Sequence, residues 1–180
     1  LAYDKSETMR LADESGVPTP TTWRCGNLDE LEDALPEIRF PCVVKPRASS
    51  VFRDGDLVNG GLHAYARDAE SLRRIFARQH VHVAGPLIQE FVPGYGMGLF
   101  LLMGGGEPLA AFAHRRVREA DPAGSGGCFR LSTALPPDAY RHAVDLLRAM
   151  GWEGVAMVEF KRDARDGRPK LMEVNGRFWL

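Results

Sequence analysis

The sequence predicts an α+β protein built of two lobes flanking a cleft. Three observations carry this expectation. Short apolar runs alternate with helix-period segments through residues 17–90. Residues 91–180 are dominated by strand-like runs joined at tight turns. One strongly amphipathic helix pattern, Ala139 to Met150, interrupts those strands.

Each element follows from local chemistry. Asp4 to Ser15 reads as a helix, stopped by Gly16-Val17-Pro18-Thr19-Pro20. Thr21 to Cys25 is a short strand. Asn27 with Glu30 makes a capping-box-like start to a helix through Leu35. Pro41 to Lys45 is a strand ended by Pro46. Arg47 to Gly61 has no period and is read as a mobile loop. Leu62 to Ala66 is the next strand, and Asp68 caps a helix whose Ala69, Leu72, Ile75 and Phe76 share a face.

Pro86 to Val92 is an apolar strand ending in Pro93-Gly94. Gly96 to Met103 and Pro108 to Val117 are strands about the turn Gly104-Gly105-Gly106, and Glu119 to Gly127 is a second loop. In the helix Ala139 to Met150, Tyr140, Ala143, Val144, Leu147 and Met150 fall on one stripe, with Gly151 closing it. Glu153 to Arg162 and Arg168 to Asn175 form a last hairpin.

The 180 residues carry 23 basic and 24 acidic side chains, a formal charge of -1. That balance gives no reason to expect nucleic acid or an acidic membrane as partner. No apolar run approaches the roughly 20 residues needed to cross a bilayer. Three cysteines, Cys25, Cys42 and Cys128, show no CxxC pairing, so the expected compartment is the cytoplasm. His80-x-His82 has no third and fourth ligand at zinc spacing.

The strongest chemistry lies in the last hairpin. Strand alternation puts Val155, Met157 and Glu159 on one face, and Leu171, Glu173 and Asn175 on one face of the partner strand. A turn centred near Asp166 pairs Glu159 with Glu173, with Val158, Phe160, Met172 and Val174 as the apolar layer behind. Two opposed carboxylates are unfavourable in a bare sheet. They suit a hard cation such as Mg²⁺, to which Asn175 can add a neutral oxygen. Arg177 can reach an anion beside the metal; a solvated acidic face on an edge hairpin is the competing reading.

Lys45 projects from the end of a stiff strand, which suits a phosphate. Leu87 to Gly94 is a hinge-like strand where Gln89 or Glu90 can accept from an adenine amine, and Phe91 or Val92 can supply backbone contacts. His114, Arg116 and Arg118 share a face by alternation, a cationic triad for phosphate or carboxylate.

Taken in order, the motifs resemble the ATP-grasp superfamily. They run Asp4-Lys5, Gly16-Val17-Pro18-Thr19-Pro20, Phe40-Pro41-Cys42-Val43-Val44-Lys45-Pro46, Gln89-Glu90-Phe91-Val92-Pro93-Gly94, Gly154-Val155-Ala156-Met157-Val158-Glu159-Phe160 and Glu173-Val174-Asn175-Gly176-Arg177. The stretch His114 to Glu119 with its glycine-rich sequel is similar to the carbamoyl-phosphate-synthase-like, carboxylate–amine ligase branch.

The resemblance implies an ATP-grasp fold, with a smaller lobe at about residues 17–90 and a larger one at 91–180. It implies a nucleotide in the cleft and ATP with Mg²⁺ (or Mn²⁺) as cofactors. Lys5 and Lys45 would contact phosphates, and Gln89, Glu90, Phe91 and Val92 would form the adenine pocket. Glu159, Glu173 and Asn175 would hold the metal, while Arg177, Lys45 and Arg116 would act in catalysis. The implied reaction activates a small-molecule carboxylate as an acyl phosphate for attack by an amine or similar nucleophile. A phosphotransferase and a non-catalytic nucleotide-binding module are the alternatives. A homo-oligomer fits the same reading. A domain preceding Asp4-Lys5 and residues following Asn175-Gly176-Arg177, both present in full-length relatives, are expected to lie outside this sequence.

Overall fold

The computed structural model describes residues 4–47, 50–53, 56–59, 63–80, 85–121 and 125–177, with backbone alone at 50–53, 56–59, 120–121 and 125–128. The chain divides into two compact units: Pro20–Phe91 with Tyr3–Ser6, and Glu7–Thr19 with Val92–Leu180 and Leu1–Ala2. The fold is α+β, each unit an antiparallel sheet with helices on one face.

In the first unit the sheet runs β1 (Thr22–Arg24), β6 (Leu87–Glu90), β2 (Cys42–Lys45), β5 (Ala64–Ala66), every pair antiparallel. Helices α2 (Leu28–Ala34) and α3 (Ala69–His80) supply Leu31, Leu72 and Phe76 to a core with Cys42, Val44, Ala66 and Ile88. Asn27 accepts from the Glu30 amide at 2.9 Å while the Glu30 carboxylate accepts from the Gly26 amide at 2.7 Å. That reciprocal cap is worth about 1 kcal/mol and fixes where α2 begins. Asp68 caps α3 in the same way, accepting from the Ser71 amide at 2.7 Å.

The stretch expected to be one loop after Lys45 contains a two-stranded hairpin, β3 (Ser50–Arg53) with β4 (Asp56–Asn59). Gly60, Gly61 and Leu62, the last a proposed strand start, lie outside the described residues.

The second unit holds a five-stranded sheet in the order β11 (Pro169–Asn175), β10 (Gly154–Asp163), β7 (Gly94–Gly104), β8 (Glu107–Asp121), β9 (Ser125–Thr133). Strand β9 replaces the end of the loop expected to reach Gly127: β8 runs on to Asp121 and pairs back with Ser125 and Gly127. One face is covered by α4 (Pro137–Ala149), which buries Ala139, Ala143, Val144, Leu146 and Leu147, and by Met9 and Ala12 of α1 (Lys5–Glu14). They pack on Leu99, Leu101, Val158, Phe160, Leu171 and Val174. Each fully buried leucine contributes about 1.5–3 kcal/mol, so this face holds the sheet rigid. Among the described residues no helix is long and apolar enough to cross a membrane.

Candidate functional site

The expected site residues fall into two sets, one per unit. In the first unit Cys42, Val44 and Ile88 point into the helix-covered core, so alternation places Val43, Lys45, Leu87 and Gln89 on the opposite face. Gln89 stands between Val43 and Thr22 in the ladder and is 1% exposed. Its Nε2 donates to Thr22 Oγ1 at 3.0 Å, while its Oε1 is buried with no hydrogen-bond partner among the described residues. A buried acceptor left unmatched costs about 1–3 kcal/mol, a cost that a ligand N–H removes.

Glu90 points the other way, its Oε1 accepting from the Thr21 amide at 3.1 Å. Of the two candidate acceptors, Gln89 therefore shares a face with Lys45 and Glu90 does not. Phe91 packs edge-on against Tyr65 at 5.9 Å between ring centroids. Lys5 is half-buried at the start of α1, its amide donating to the Arg47 carbonyl at 3.0 Å, and Arg47 is held by Asp4 at 2.8 Å.

In the second unit the register sets Glu159 directly opposite Glu173 and Met157 opposite Asn175. Opposed residues have Cβ atoms about 4.5–5.5 Å apart, close enough for one ion to bridge two carboxylates. Asn175 Nδ2 donates to Glu173 Oε1 at 2.8 Å, which ties the two side chains together. Among the described residues no three His, Cys, Asp or Glu side chains cluster as a metal centre. Two carboxylates plus an amide is instead a donor set for a hard cation completed by substrate phosphates and water. The residues fit Mg²⁺.

Glu159 has a second neighbour. Arg116 of β8 extends across β7, and its Nη2 donates to Glu159 Oε2 at 2.6 Å. The path exists because β7 carries glycine where these side chains cross. A Cβ at Gly96 would stand 2.9 Å from Arg116 Cδ, and one at Gly98 would stand 2.7 Å from His114 Cε1. The pair is sheltered, the two side chains being 8% and 14% exposed, so solvent screens it weakly.

His114 lies beside them, opposite Gly98, which in turn stands opposite Glu159. Burial, with Arg130 and Arg116 adding to it, pushes its pKa down to about 4. It is therefore neutral at pH 7, and the cationic triad expected of this strand is corrected. Arg118 also departs from it, because the β8–β9 register shifts between Arg116 and Arg118 and leaves Arg118 exposed. Arg177 is exposed at the end of the motif.

The apolar layer behind the carboxylates is also corrected. The β10–β11 register shifts after Glu159, so Phe160 pairs with Leu171 and Met172 is the extra residue. Leu171 is fully buried in the core and Met172 is only half-buried, the reverse of strict alternation. Val92 is buried at the start of the second unit. His80 stacks on Phe76 at 5.7 Å, while His82 lies outside the described residues.

The chain matches no protein-family profile. Along 98% of its length it is 26% identical to the N-terminal section of the carbamoyl phosphate synthase large chain of Methanopyrus kandleri, of which it spans 31%. Its fold superposes on an L-amino acid ligase from Bacillus licheniformis with a TM-score of 0.73, at 19% identity, over 98% of this chain and 40% of that one. It superposes on the ATP-grasp ligase PsnB with a TM-score of 0.67, at 16% identity, over 98% of this chain and 53% of that one. The chain thus spans about a third to a half of the proteins it resembles.

Proposed function

This chain has the ATP-grasp fold, and we propose from it that the protein is a Mg-ATP-dependent ligase that activates a carboxylate as an acyl phosphate for attack by an amine or similar nucleophile. The observation that carries the reading is the facing pair Glu159 and Glu173 with Asn175 on the same strand. The likeness to a carbamoyl phosphate synthase section and to an L-amino acid ligase supports the reaction class.

In this reading Gln89 Oε1 accepts from the exocyclic amine of adenine, and Phe91 and Val92 line the base. Glu90, turned toward Thr21, fixes the strand that presents them. Lys45 and Lys5 place positive charge on the phosphates. Glu159, Glu173 and Asn175 would hold Mg²⁺, which when bound neutralises charge on the transferring phosphoryl group. Arg177 and Arg116 supply further cationic donors for the phosphoryl oxygens or the substrate carboxylate. His114, being neutral, offers a hydrogen bond without adding charge. Rate would come from fixed charges that need no rearrangement as the phosphoryl group moves.

Trapping tests this directly. Incubation with ATP, Mg²⁺ and a panel of carboxylic acids in hydroxylamine should release ADP and form a hydroxamate with the acid that is activated. ADP release with a stable phosphorylated product and no hydroxamate would show a phosphotransferase instead. Nucleotide binding without turnover across the panel would favour a binding module.

A further inference from the structure

In the proposed site Glu159 would serve two cations at once, Arg116 and the metal. Its Oε2 receives the Arg116 guanidinium at 2.6 Å, and the same carboxylate faces Glu173 across the ladder. Burial leaves the ion pair weakly screened, since the two side chains are 8% and 14% exposed. It also offsets the repulsion that two opposed glutamates create. A divalent ion held by Glu159 and Glu173 would place two positive charges on the carboxylate that already holds that guanidinium. The two cations would then repel each other through one shared anion.

We propose that Arg116 and the divalent cation bind Glu159 antagonistically, so that the arginine sets the metal affinity and the metal in turn loosens the arginine. The inference rests on the metal reading of Glu159, Glu173 and Asn175 given above. Antagonism between two sites is reciprocal by linkage. What Arg116 costs the metal, the metal must cost the Arg116–Glu159 pair. The consequence is functional. Loading of the metal weakens the hold on a buried guanidinium and frees its donors for an anion, the phosphate or carboxylate of the substrate. Gly96 matters here because a Cβ at that position would stand 2.9 Å from Arg116 Cδ and obstruct the side chain. Arg116 thereby becomes a substrate-facing donor whose availability is tied to metal occupancy.

The test is direct titration of free Mn²⁺ by electron paramagnetic resonance with wild-type protein, Arg116→Gln and Arg116→Lys. Arg116→Gln should bind Mn²⁺ about five-fold or more tightly than wild type. Arg116→Lys, which keeps the charge, should stay near wild type. Unchanged or weaker binding by a folded Arg116→Gln overturns the antagonism and leaves the metal site standing. Absence of Mn²⁺ binding by wild-type protein overturns the metal reading and this inference with it. A second measurement needs no substitution. With ¹⁵N-labelled arginine, Mg²⁺ should broaden the guanidinium signals of Arg116 as rotation about its Nε–Cζ bond becomes freer. Signals unmoved by saturating Mg²⁺ contradict the proposal.

Discussion

Arg116 crosses the full width of β7 to reach Glu159, its Nη2 standing 2.6 Å from the carboxylate. Neither residue neighbours the other in sequence or on adjacent strands. The contact depends on the strand between them having glycine at position 96, where a Cβ would stand 2.9 Å from Arg116 Cδ.

The neighbouring glycine of β7 makes room for a second side chain of β8, His114. Gly98→Ala places a Cβ 2.7 Å from His114 Cε1, inside any tolerated contact. We expect a loss of about 1–3 kcal/mol in unfolding free energy, the usual cost of overpacking. In a Gly98→Ala/His114→Ala double variant the loss should be smaller than the sum of the two single ones. Additive losses in urea unfolding would show that the glycine is not there for His114.

Gln89 separates binding from stability. Its Oε1 is buried and without a partner among the described residues, so Gln89→Leu removes a costly group along with the bond to Thr22. The melting temperature should stay within a few degrees of wild type while affinity for ATP falls about ten-fold. Unaltered affinity, measured by calorimetry, would remove Gln89 from the adenine pocket.

Asp138 and Arg162 give a pH dependence with a defined sign. Arg162 donates to both oxygens of Asp138, at 2.5 and 2.9 Å, and this holds the carboxyl down at about 2 against an ordinary 3.8. A depressed carboxyl stabilises the fold above its unfolded pKa, and that contribution is lost as pH falls from about 4 toward 2. The pair is partly exposed, which limits it to about 1 kcal/mol. Asp138→Asn should therefore cost about that much at pH 7 and almost nothing at pH 2. An equal deficit at both values in chemical denaturation would contradict the assignment.

Much of this was legible in the sequence because the periods were clean. The stripe of α4 and the Asn27–Glu30 cap were readable from spacing alone. So was the Glu159–Glu173 pairing, from the distance of each residue to the turn near Asp166. Three features were not. The register shift at Met172 inverts alternation for Leu171, and nothing local announces it. Strand β9 begins in Ser125-Gly126-Gly127, a stretch with no strand propensity of its own, made extended by pairing with β8. The neutral state of His114 depends on burial and on Arg130, sixteen positions away along the chain. The missing signal for Arg116 was in the other strand: glycines at 96 and 98, two apart in a strand pattern, mark a close approach by a neighbour.

The most direct test of the account is calorimetric titration with a nonhydrolysable ATP analogue, with and without Mg²⁺, on the wild type, Lys45→Ala and Glu173→Gln. The account predicts Mg²⁺-dependent binding by wild type, weaker binding by Lys45→Ala at either condition, and loss of the Mg²⁺ dependence alone in Glu173→Gln. Mg²⁺-dependent binding that persists undiminished in Glu173→Gln would contradict the assignment of the metal to the last hairpin.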